Sequence, residues 1–169
     1  GLVRLLSAAG LLEFRLRRRG TIGVFCVSKK DGRLRLVFDC RYTNAHFRKS
    51  AWSALCSPVS LSNLSSPGCG DSTGSDYVGS GFAVDLDDAF YQLSFGLVAE
   101  FFSLGIEVAA GDFDVSEVWC SVSKTFVAVE HHDLVIPCLA TLAMGWSWAL
   151  YFCQDVLVGR MCLADRMLG

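Results

Sequence analysis

A chain of 169 residues is long enough for one domain with a real core. Its 52% hydrophobic content and mean hydropathy of +0.41 are high for a soluble domain, as expected of a fragment without its packing partner or of a membrane protein. The eight cysteines lie nine or more residues apart, which excludes a C-x-x-C zinc knuckle or redox pair.

The net charge of −2 hides an asymmetry. Residues 1–50 carry 12 of the 15 Lys and Arg against three acids, Glu13, Asp31 and Asp39, for a charge of +9. Residues 51–169 set Lys124, Arg160 and Arg166 against 14 acids, for −11. A basic half suited to phosphates beside an acidic half suited to cations is one reading, and solvated surface is the other. Cysteines within apolar runs such as "GVFCVS" and "LYFCQ" read as small core hydrophobes. No signal peptide is visible, and the chain is too core-rich to need staples. Reduced thiols in an intracellular compartment, cytoplasmic or nuclear rather than secreted, are therefore expected. The chain begins at Gly1 and has no marked end at Gly169, so we expect it to be a piece of a longer one.

In chain order, residues 1–19 read as a helix that is apolar first and arginine-rich last, with Gly20 as its C-cap. In "TIGVFCVSKKDGRLRLVFDC" two β-rich runs, 22–27 and 34–38, flank Asp31 and Gly32, a strong hairpin signal. Residues 56–76 are rich in Ser, Gly and Asp and read as a long loop or inserted linker. "GFAVD" is a short buried strand ending at Asp85, and "FFSLGIEV" and "TFVAVEHHDLVI" are further strands. From Ser147, its N-cap, "SWALYFCQDVLVGRMCLADRML" spaces Trp148, Tyr151, Phe152, Val156, Leu163 and Met167 as a helix does. A hairpin, strands and a helix in this order predict an α+β fold. Residues 134–153 carry no charge over a length that can cross a bilayer. Pro137, Thr141, Gly145 and Ser147 interrupt them, however, and basic anchors are missing from their flanks, so no membrane span is expected.

Three stretches carry chemistry. On the hairpin, Lys29 and Lys30 precede the turn and Arg33 and Arg35 follow it, the two arginines on one face. A lysine and an arginine so placed can clamp a polyphosphate, Arg as a fork and Lys as a point charge, although a solvated basic hairpin has the same composition. In "VDLDDAFYQL", Asp85 ends a buried strand and points its carboxylate into a cleft, where a hard divalent cation would find an oxygen ligand. At least one more carboxylate must come from elsewhere to hold a two-metal pair. Backbone N–H groups near Asp88 and Ala89 could hold phosphate oxygens, with Phe90 on the floor of that site. An acidic turn with two core aromatics is the other reading. In "LAMGWSWALYFCQ", Gly145 between bulky residues permits close backbone approach to something flat, or simply starts a helix packed by tryptophans.

In order and spacing these stretches resemble the reverse transcriptases of retroelements and retroviruses. "VSKKDGRLRLVFDCRYTN" is similar to their fingers hairpin (K-K-D-G, R, L-V-x-D, a hydrophobe, R, then N). "VDLDDAFYQL" is similar to their first palm motif, D-x-x-D-A-[FY], and "LAMGWSWALYFCQ" to the next, L-P-x-G-x-x-x-[SA]-P followed by F-x-Q. The resemblance implies an α+β right-hand polymerase fragment, with a β-hairpin in the fingers and an incomplete split βαβ palm sheet backed by helices. Residues 1–80 would be the N-terminal helix and fingers hairpin with a Ser/Gly-rich loop, and 81–95 the palm strand with the first catalytic motif. Residues 96–140 would be strands of fingers and palm, and 141–169 the glycine motif and a truncated palm helix.

Residue by residue, the resemblance implies that Asp85 is the catalytic metal-binding aspartate and that Leu86 offers its backbone carbonyl to the second metal. Asp88 and Ala89 would hold the triphosphate through backbone amides, and Phe90 would be the steric gate that excludes a 2′-hydroxyl. Lys29 and Arg35 would grip the incoming phosphates, and Gly145 would pack near the templating base and the nucleotide. The implied cofactors are two Mg²⁺ ions, and the implied partners an RNA or DNA template-primer and deoxynucleotides, without a membrane. The implied reaction is template-directed DNA synthesis, by attack of a primer 3′-hydroxyl on the α-phosphate.

The chain also departs from the pattern. Leu150 stands at the usual Pro of the glycine motif, Ala143 where Pro is common, and Met144 where retroviral enzymes have Gln. Residues 57–80 are longer than the family leads one to expect. No Y-x-D-D with the remaining catalytic aspartates follows, nor a thumb or nuclease region. This stretch alone is therefore expected to be inactive, and to need the C-terminal palm and thumb of a longer chain. The alternative is a degenerate, non-catalytic remnant that at most binds nucleic acid. A membrane-anchored protein using residues 134–153 is less favoured.

Overall fold

A computed structural model describes residues 1–53, 55 and 86–168. Helix α1 (Leu2–Ala8) ends where glycine permits it: Gly10 adopts φ +70°. The Gly10 N–H donates to Ser7 O at 2.9 Å and the Leu11 N–H to Leu6 O at 3.0 Å, the bond pair of a Schellman ending. Residues 1–19 are thus not the single helix expected. The left-handed glycine reverses the chain, and "LEFR" becomes strand β1 (Leu12–Arg15) in the middle of a sheet. Gly20 caps no helix either. It lies against the Phe101 carbonyl oxygen, which a Cβ would meet at 2.5 Å.

Strands β2 (Gly23–Ser28) and β3 (Leu34–Asp39) form the expected antiparallel hairpin, a two-stranded sheet of its own. Gly32 supplies the positive φ, +79°, that the turn needs, and the Lys29 N–H donates to Arg33 O at 2.7 Å to close it. Val24 pairs with Phe38 and Cys26 with Leu36, so Val24, Leu36 and Phe38 pack on the core. The opposite face carries Val27, which pairs with Arg35, and Phe25, which pairs with Val37. A short helix, α2 (Arg41–Asn44), follows directly.

The five-stranded sheet runs β4 (Val108–Ala109), β7 (Leu134–Leu139), β1, β5 (Glu117–Cys120) and β6 (Thr125–Ala128). Only β1 and β5 pair in parallel; the other neighbours are antiparallel. "FFSLGIEV" was expected as a strand, but it makes the end of a 3₁₀ turn (Gly96–Phe101), single bridges at Ser103, and the first residue of β4. Gly105, at φ +75°, breaks the extended run between them. "TFVAVEHHDLVI" divides into β6 and β7, because Asp133 Oδ2 accepts the Glu130 N–H at 2.7 Å and turns the chain.

Helix α3 (Ala149–Leu168) begins two residues after Ser147. Its first turns pack on the core through Ala149 and Cys153, while Val158, Met161 and Met167 stay exposed. The uncharged run 134–153 is therefore shared between β7 and the start of α3. Among the described residues, no helix is long and apolar enough to cross a membrane.

The main core is aromatic. Phe95 and Phe102 stack with ring centroids 3.7 Å apart, and Trp146 meets them edge-on at 5.2 and 5.3 Å. Phe47, beyond α2, meets Trp146 at 5.3 Å. Each such pair adds about 0.5–1.5 kcal/mol to the burial of its apolar area. Among the described residues two charged side chains are buried: Glu100, 3% exposed and 3.3 Å from Arg19, and Arg15, 4% exposed, which donates Nε to Glu13 at 2.7 Å and gives Nη2 to Gly96 O at 3.0 Å. "GFAVD", Asp85 and the Ser/Gly-rich run 57–80 lie outside the described residues.

Candidate functional site

Three segments distant in sequence line one cleft of about 560 Å³. The hairpin contributes Lys29, Arg35 and the β3 residues Leu36, Val37 and Phe38. The segment after Leu86 contributes Asp88 and Tyr91, and the loop between β7 and α3 contributes Met144 and Gly145.

The hairpin wall is charged because its cations are sorted by local pairing. Arg33 folds back on the turn, with Nη2 2.6 Å from Asp31 Oδ2, and its hydrogen bonds hold the Asp31 carboxyl below the usual carboxylate range. Arg41 does the same to Asp39 at 2.6 Å and brings that carboxyl down to about 2. With the described residues, Lys29 and Arg35 form no salt bridge, so both positive charges are left for the cleft.

The second wall is a tight turn. Asp88 adopts φ +51° and leads into a 3₁₀ turn, Ala89–Gln92; the Tyr91 N–H donates to Asp88 O at 2.8 Å. Gln92 Nε2 donates to Asp87 O at 2.8 Å and closes the turn from outside. Burial pushes the Tyr91 phenol up, and the Asp88 carboxylate beside it pushes the same way. Phe90 and Tyr91 both pack against the aromatic core, but Tyr91 is the ring that lines the cleft. Ala89 is half-buried at the start of the turn, and Leu86 is exposed before it.

The third wall is held by close contact. A Cβ on Gly145 would come 2.6 Å from the Phe38 carbonyl oxygen, so only glycine lets this loop meet β3. Asn44 Nδ2 donates to Gly145 O at 3.0 Å, and the Ser147 N–H donates to Asn44 Oδ1 at 3.0 Å. Met144, 68% exposed, stands over the cleft beside Gly145.

Of the residues singled out by motif, Lys29, Arg35, Asp88 and Gly145 thus meet at one cleft, whereas Leu86, Ala89 and Phe90 stand on or beside its turn. Asp85 lies outside the described residues. Two further residues belong to the site. Tyr91 had only its place next to Phe90 to mark it, and Asn44 only its place as the N that closes the hairpin motif. Chemically, among the described residues, two cations without a salt bridge share the cleft with one carboxylate and an aromatic ring, a lining that suits an anion with a flat or apolar part. Among the described residues, no group of three His, Cys, Asp or Glu side chains could hold a metal ion. Comparison of the chain with protein families, with curated proteins and with solved structures finds no match.

Proposed function

We propose that the cleft holds the triphosphate of a nucleotide, and that the chain is the fingers and the beginning of the palm of a reverse-transcriptase-like DNA polymerase. One observation carries this reading: the residues that three separate motifs assign to the incoming nucleotide, Lys29 and Arg35, Asp88, and Gly145, line a single cleft. In the proposal Lys29 and Arg35 bind the phosphates, Arg35 by its fork. The backbone amides of Asp88 and Ala89 hold their oxygens, and Gly145 lies under the base. Phe90, on the turn beside the cleft, excludes the 2′-hydroxyl, and Tyr91 is the neighbouring ring that lines the wall. Template, primer and deoxynucleotides are the proposed partners. Two Mg²⁺ enter the proposal through Asp85 and Leu86. The described residues do not by themselves assemble a two-metal ligand set.

The test is titration of the chain with a fluorescent deoxyadenosine triphosphate. We expect saturable binding that inorganic triphosphate competes away, and a loss of about tenfold or more in affinity for Arg35→Ala, the worth of one charge-assisted hydrogen bond. Equal affinity of Arg35→Ala and wild type would overturn the triphosphate reading.

A further inference from the structure

We propose that Asn44 is a positioning residue, whose carboxamide sets where the loop 145–147 stands and so sets the affinity of the cleft for a triphosphate. The proposal rests on the triphosphate reading above. Gly145 has no side chain with which to fix itself, so the loop must take its position from its neighbours. On one side it rests on the Phe38 carbonyl of β3. On the other it meets Asn44, which uses both halves of its amide: Nδ2 to Gly145 O and Oδ1 to the Ser147 N–H, each at 3.0 Å. Between these two bonds Trp146 drops into the aromatic core, so the carboxamide brackets the residue that anchors the loop.

The bracket is itself held still. Asn44 ends α2, whose preceding residue Thr43 is 0% exposed, with Oγ1 2.9 Å from Phe101 O and 3.3 Å from Thr21 O. A third tie joins the same two segments without touching Gly145: Trp148 Nε1 donates to Arg48 O at 2.8 Å. An Asn amide offers a donor and an acceptor in one plane at this reach, which an ionised Asp of the same length does not.

The third tie supplies the control. Wild type, Asn44→Ala and Trp148→Phe are titrated with the fluorescent deoxyadenosine triphosphate, and their urea midpoints are measured alongside. Asn44→Ala is expected to bind about tenfold more weakly, from the loss of two hydrogen bonds of ordinary strength. Trp148→Phe is expected to lower the urea midpoint and leave affinity unchanged, because it removes a bond between the same segments that does not reach the cleft. Equal affinity of Asn44→Ala and wild type overturns the positioning role. So does an equal loss of affinity in Trp148→Phe, since any loosening of the two segments would then suffice. Failure of wild type to bind the nucleotide overturns the triphosphate reading itself, and is seen before any variant is compared.

Discussion

The hairpin wall and the glycine wall line one cleft, meet at Phe38 and Gly145, and are built in opposite ways. The hairpin is a two-stranded sheet whose outer face carries Arg35, Val27 and Phe25 into open surroundings. The loop around Gly145 is pressed onto the Phe38 carbonyl, bracketed by Asn44 and fastened through Trp146 to stacked rings. An isolated two-stranded ribbon is only marginally stable without a surface to lie on, and here that surface is the same aromatic core. One wall therefore supplies charge with freedom to adjust, and the other supplies a fixed backing. Removing charge from the hairpin should be felt in binding, and emptying the aromatic backing in stability.

The largest effect belongs to the backing. Phe102→Ala removes a ring with 0% exposure from the stack and should cost about 3–5 kcal/mol in urea denaturation. Arg35→Ala should stay within about 0.5 kcal/mol of wild type in the same assay. A comparable loss in both would erase the distinction between the walls. Next comes Gly145→Ala, which sets a methyl group 2.6 Å from a backbone carbonyl that cannot swing aside, at about 1–3 kcal/mol. A wild-type midpoint for that variant would show the loop free to retreat from β3.

Gly32→Ala, at the hairpin turn, meets no neighbour but must hold φ +79°, for about 1–2 kcal/mol. Because the cost is conformational rather than steric, Gly32→Asn should recover much of it, and failure to do so would point to a turn fixed by something else. The smallest effect is electrostatic. Arg41 holds Asp39 at about 2 against an ordinary 3.8, so above pH 4 the carboxylate is charged in both folded and unfolded chains and the pair contributes in full. As pH falls from about 4 to 2, the unfolded chain takes up the proton first, and the contribution is lost. Asp39→Asn should flatten that part of the acid limb, read as urea midpoints at pH 5 and 2.5. An unchanged acid limb would remove Asp39 from the hairpin's account.

What the amino-acid pattern could disclose depended on how locally each feature is determined. The β2–β3 turn was legible because Asp31 and Gly32 carry its geometry within themselves. The end of α1 was not. Gly10 was in plain view, but whether "LEFR" continues a helix or enters a sheet is decided by β7, more than 120 residues away, which pairs Leu12 with Leu139 and Arg15 with Ile136. The burial of Arg15 was invisible for the same reason, since it depends on the Gly96 carbonyl as well as on Glu13. At the cleft, motif spacing named Lys29, Arg35, Asp88 and Gly145 singly. That they share one cavity is a tertiary fact, as is the choice of Tyr91 over Phe90 for its lining. Asn44 closes the hairpin motif, but the motif gives it no role, because its two partners lie about 100 residues further on.

The stacked rings have one more consequence. Phe95, Phe102 and Trp146 are held at fixed angles of 18°, 64° and 79° to one another, and Trp146 lies 21° from parallel with Phe152. Ring transitions locked in such a handed arrangement give strong near-ultraviolet circular dichroism, which vanishes when the side chains are free to reorient. The backing of the cleft thus carries its own optical gauge, readable without ligand, label or catalytic assay.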